Sequence, residues 1–152
     1  MANIKRANTS GITKTGSAVP DVPDAPTIGT ATDVGTSRAY NNGSATVTYT
    51  AAATGGAVTT FTATSTPGSF TATGSSPITV TGLQSGTAYT FTVKGTNASA
   101  TGPESSASGS ITATSVPQAP TIGTATAGDG TASVTFTPGA TGGKTVSTYT
   151  VT

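Results

Sequence analysis

One near-repeat constrains this chain more than any other feature. Val22 to Thr32 reads VPDAPTIGTAT, and 94 residues later Val116 to Thr126 reads VPQAPTIGTAT. A second pair follows, ATVTYTAAATGG from Ala45 and ASVTFTPGATGG from Ala132. A period of that length is a domain, not a solenoid repeat. The chain therefore divides into an extended N-terminal arm over 1–21, one full module over 22–115, and the start of a second over 116–152. Thr152 aligns with Thr64, so the second copy holds fewer than half the strands of a module and cannot bury a core alone. These residues are expected to be the front of a longer protein, or to find the remaining strands in trans.

Within the first module, apolar and hydroxyl residues alternate. Ala45, Val47, Tyr49 and Ala51 alternate with threonines, and so do Phe61 and Ala63, Ile78 and Val80, and Ile111 and Ala113. Tyr89, Phe91 and Val93 alternate with Thr90, Thr92 and Lys94. A period of two with one apolar face marks half-buried antiparallel strands. Gly55-Gly56, Pro67-Gly68, Gly74 to Pro77, Ser85-Gly86 and Gly102-Pro103 supply turn signals between them. No ten-residue stretch has a helical apolar period, so no helix is expected. The expected fold class is all-β, a two-sheet sandwich of about seven strands. Tyr49, Phe61, Leu83, Tyr89, Phe91 and Val93 form its predicted core, with Ile78, Val80 and Ile111 beside them.

LQSGTAYTFTVKGTN, from Leu83 to Asn97, resembles the E–F segment of fibronectin type III domains. Leu83, Gly86, Thr87 and Tyr89 match the family's tyrosine corner, and Ser85 stands where its proline is usual. Asn97 with Gly102, Pro103 and Ser105 resembles the F–G region, and Val134 to Val151 the B–C segment. Tyr49 and Phe136 occupy the position of the family's strand-B tryptophan. The resemblance implies tandem fibronectin type III-like sandwiches, a fold that hosts many roles. Thr/Ala/Gly-rich, weakly charged modules of this kind are also similar to those appended to tailed-bacteriophage virion proteins.

Several chemistries are excluded by composition. With no His and no Cys, the Ser-His and Cys-His nucleophile pairs cannot form. The five acids are scattered, and the only close pair, Asp21 and Asp24, lies on a Pro-spaced linker. Gly142-Gly143-Lys144-Thr145 suggests a phosphate loop, but Pro138 stands where that motif requires its first glycine. It is expected to be a loop between strands. No catalytic residue, metal site or cofactor is expected, and the chain is expected not to be an enzyme. A net charge of +1 argues against nucleic acid as a partner. No apolar stretch is long enough for membrane insertion or for a signal peptide.

Two segments remain as candidate partner-binding elements. The arm carries Lys5, Arg6 and Lys14 without an acid, while the rest of the chain has three bases against five acids. Ile4, Lys5, Arg6, Ile12 and Lys14 are expected to anchor it on an acidic partner. The first module also has DVGTSRAYNNG (Asp33 to Gly43) where the second has only AGDG (Ala127 to Gly130). This surplus contains Arg38 and Tyr40, residue types favoured at interfaces. It is either a tolerated loop insertion or a contact with a partner that only the first module meets. The resemblance implies a structural protein of a phage virion, made in the host cytoplasm and displayed on the particle surface. Its partners would be capsid or tail subunits, with weak binding of host-surface glycans. A bacterial adhesin or stalk at the cell surface and an accessory module of a polysaccharide-degrading enzyme are the alternatives.

Overall fold

Threonine suits the outward positions of these strands because it keeps β-branched backbone preference while its hydroxyl stays polar without charge. The computed structural model describes residues 21–152, and among them there is no helix. The first module holds β1 (Thr27–Asp33), β2 (Gly43–Thr50), β3 (Thr60–Thr66), β4 (Thr71–Thr73), β5 (Ile78–Leu83), β6 (Ala88–Thr96), β7 (Thr101–Glu104) and β8 (Ile111–Thr112). The second copy contributes β9 (Thr121–Ala127) and β10 (Ala132–Thr137). One sheet runs β1-β2-β5. The other runs β4-β3-β6-β7, with β8 also pairing β6. All pairings are antiparallel. Outward threonines fall into register across strands, as with Thr71, Thr64 and Thr92.

The core lies where the inward residues of the two sheets meet. Ala45, Val47, Ile78, Val80 and Leu83 come from one sheet, and Ala63, Tyr89, Phe91 and Val93 from the other, all buried. Each large apolar group so buried contributes roughly 1.5–3 kcal/mol. Tyr49, Phe61 and Ile111 are half-buried at the rim. There the Tyr49 and Phe61 rings pack 4.6 Å apart. Burial pushes the Tyr49 hydroxyl pKa above its ordinary value, against a smaller opposing effect of a backbone hydrogen bond at Ser76. It therefore stays protonated and donates to the Gly74 carbonyl at 2.9 Å.

Tyr89 closes the corner between β5 and β6. Its buried hydroxyl accepts the Gln84 N–H at 3.0 Å, so the chain turns against a fixed oxygen. The edge beyond β6 is mended by serine. Between β7 and β8, the N–H groups of Val93 and Phe91 donate to the hydroxyls of Ser105 and Ser108, each at 3.0 Å. The same two serines return their own N–H groups to the Val93 and Phe91 carbonyls at 2.8 Å.

One expected turn is displaced. Gly102-Pro103 lies inside β7, and the chain reverses earlier, where the Asn97 side chain accepts the N–H groups of Ser99 and Ala100. Asparagine builds such turns with its own amide oxygen, and proline is tolerated on an edge strand.

The second copy repeats the first hairpin in detail. Ile122 pairs Phe136 and Ala125 pairs Val134, as Ile28 pairs Tyr49 and Ala31 pairs Val47, with an irregularity at the same place. In both copies a threonine hydroxyl fills that bulge. Thr48 Oγ1 and Thr135 Oγ1 accept the N–H groups of Thr30 and Thr124 at 2.8 Å. A Cβ at Gly29 or Gly123 would collide with that oxygen, which explains the repeated Ile-Gly-Thr. Phe136 and Tyr149 pack 4.7 Å apart, matching Tyr49 and Phe61. No residue of β9 is buried, however, and Ile122 is 72% exposed.

Replacing Phe91 by Ala should lower the unfolding free energy of the first module by about 3–5 kcal/mol. Tyr89→Phe, which leaves the Gln84 N–H without its acceptor, should cost about 1–3 kcal/mol. Urea unfolding reads both, and an unchanged slope with denaturant would confirm that stability alone moved.

Candidate functional site: the joint between the two copies

The chain is strapped to the first module at both of its ends. On the leading side Pro23 is fully buried and bridges Gly55, in the loop after β2. The Gly56 N–H donates to the Val22 carbonyl at 3.1 Å. Asn97 Nδ2 donates to the Asp21 carbonyl at 2.8 Å, and Thr54 Oγ1 to Asp24 Oδ2 at 2.7 Å.

On the exit side the β1–β2 loop governs the path. Asp33, at the end of β1, accepts through Oδ1 from the N–H of Gly35 at 3.2 Å and of Thr114 at 3.1 Å. Its other oxygen accepts a short hydrogen bond from the Thr114 hydroxyl. One carboxylate thus ties the loop to the chain leaving β8, and the negative charge strengthens each bond. Arg38 braces the loop from within. Its Nε donates to the Asn42 carbonyl at 2.6 Å and its guanidinium to Asn42 Oδ1 at 3.1 Å. Asn41 and Ser85 exchange two hydrogen bonds, at 3.1 and 3.2 Å, joining the loop to the β5–β6 turn.

The second copy sits on this platform. The Val116 N–H donates to the Arg38 carbonyl at 2.9 Å, and the Ser115 N–H to the Gly142 carbonyl at 2.8 Å. The hydroxyls of Ser85 and Ser115 lie 2.5 Å apart. Gly143, with φ of +85°, presses backbone to backbone on the β5–β6 turn. A Cβ there would lie 2.7 Å from the Gly86 nitrogen and 2.8 Å from the Ala113 oxygen. The Gly-Gly that resembles a phosphate loop is therefore the surface that seats one copy on the other.

The candidate residues fall unequally on this geometry. Arg38 is half-buried, with its guanidinium occupied inside the loop and its carbonyl holding the second copy. Tyr40, in the same loop, is half-buried. Leu83, Tyr89, Phe91 and Val93 are buried, while Tyr49 and Phe61 stand at the rim. Ile4, Lys5, Arg6, Ile12 and Lys14 lie outside the described residues. Asp33, Asn41, Thr114 and Ser115 were not candidate binding residues in the sequence, and Ser85 stood out there only as a turn residue. One signal for Asp33 was present, because the aligned residue of the second copy is Ala127.

A fibronectin type III domain model matches residues 25–110. The chain belongs to the fibronectin type III family. No curated protein matches it. Domains of this family are typically non-catalytic modules, compatible with structural or adhesive roles. Among the described residues no group of three His, Cys, Asp or Glu side chains could hold a metal ion.

The joint makes a direct prediction for hydrogen exchange. The Ser115 and Val116 amides should exchange slowly although they lie in a linker. Asn41→Ala combined with Ser85→Ala should speed both while leaving the Phe91 amide protected.

Proposed function

We propose that this chain is a non-enzymatic structural protein that projects sandwich modules from the surface of a phage particle, as a capsid decoration or fibre. The observation that carries this reading is the path of the chain through the first module. It arrives beside Gly55, after the end of β2, and leaves beside Arg38, before its start. The arriving and departing segments are thus separated by the length of an eight-residue strand, roughly 26 Å at the usual rise. Each added module then extends the array instead of folding back on it.

The basic arm, with Ile4, Lys5, Arg6, Ile12 and Lys14, anchors on capsid or tail subunits in this reading. In this reading its contacts run along a groove or strand edge of the partner. The outer modules meet host-surface glycans weakly and gain strength from the number of copies. A threonine-rich, weakly charged surface suits a projection that must not adhere to its own particle.

Deleting residues 1–20 should abolish incorporation into purified particles, measured by mass spectrometry. The truncated chain should keep its β-rich circular dichroism. Undiminished incorporation of the deletion variant would contradict the anchor and favour a cell-surface stalk.

A further inference from the structure

We infer that the β1–β2 loop is an inter-module lock, and that its length sets which joints in such an array are stiff. Linkers between modules of this size usually leave neighbouring domains free to reorient. Here the loop, together with the β5–β6 turn it braces, supplies a surface that fits one kind of partner, a successor module presenting a Gly-Gly turn. Asp33 holds the departing strand through Thr114. Arg38 offers its carbonyl to Val116. Asn41 fixes Ser85, whose hydroxyl meets Ser115. Gly143 then closes on Gly86 without intervening side chains.

The second copy lacks the loop of this device. Its hairpin is closed by the tight turn Gly128 to Thr131, where the Gly128 N–H donates to the Thr131 carbonyl at 2.8 Å. Ala127 replaces Asp33, so the end of β9 carries no carboxylate in that position, and the nearest one, Asp129, lies two residues further on in the tight turn. Nothing corresponds to Arg38 or Asn41. A module attached beyond the second copy would meet no lock, so the stiff joint is the one nearest the arm. The inference concerns the joint alone and does not depend on what the arm binds.

The chain contains no cysteine, so a pair introduced at exposed strand positions can be labelled cleanly. Thr79→Cys and Thr126→Cys place one nitroxide on β5 and one on β9. Pulsed dipolar spectroscopy on the full chain should give one narrow distance distribution. Replacing residues 34–42 with the short turn of the second copy should abolish that narrow peak, with the first module still folded by circular dichroism. Should that exchange prevent folding, the Asn41→Ala and Ser85→Ala pair carries the test and should broaden the peak. A broad distribution in the unmodified chain would overturn the inference, as would an unchanged narrow peak in a folded variant.

Discussion

Everything in the first module depends on the burial of one face of β6. That strand pairs with β3, β7 and β8, and it sends Tyr89, Phe91 and Val93 into the space between the sheets. A module with so few large side chains has little reserve, because small domains bury a modest fraction of their surface. Tyr89 therefore serves twice, as apolar bulk and as the acceptor that fixes the β5–β6 corner. The corner positions Ser85 and Gly86, and those two residues receive the second copy. Core packing and the inter-module joint are thus linked through a single turn.

The two copies of the hairpin form a natural comparison. Register, bulge, plugging threonine and aromatic pair are reproduced almost without change. Burial is not reproduced, since Val47 is fully buried while the aligned Val134 is only half-buried. Local sequence therefore dictates the hairpin geometry, and the opposing sheet decides whether its apolar face is covered. The close approach of Gly29 to Thr48, and of Gly123 to Thr135, shows how strictly that geometry is encoded.

Much of the fold was legible in the sequence because strand alternation has a period that side-chain burial enforces. Ala45, Val47, Ile78, Val80, Phe91 and Val93 are buried for the same reason that they alternate with hydroxyls. The turn at Asn97 was marked by the family resemblance but not by the local turn signals, because Gly-Pro is a stronger signal than an asparagine capping its own loop. The serines that mend the edge at β6 were hidden too. Their role depends on the neighbouring strand's unpaired N–H groups, which sequence periodicity does not reveal. The joint was half legible. The surplus in the β1–β2 loop and the exchange of Asp33 for Ala127 mark the place. Which surface the loop meets depends on a tertiary path that no local pattern encodes.

A projection made of sandwich modules works only if successive modules hold their line. In the proposed projection that property would rest on hydrogen bonds from the β1–β2 loop and on a glycine that lets two backbones touch. The most direct measurement is nitrogen-15 relaxation on the full chain. If the joint is locked, amides in β1 to β8 and in β9 and β10 will report one common rotational diffusion tensor. A separate, faster correlation time for β9 and β10 would contradict it.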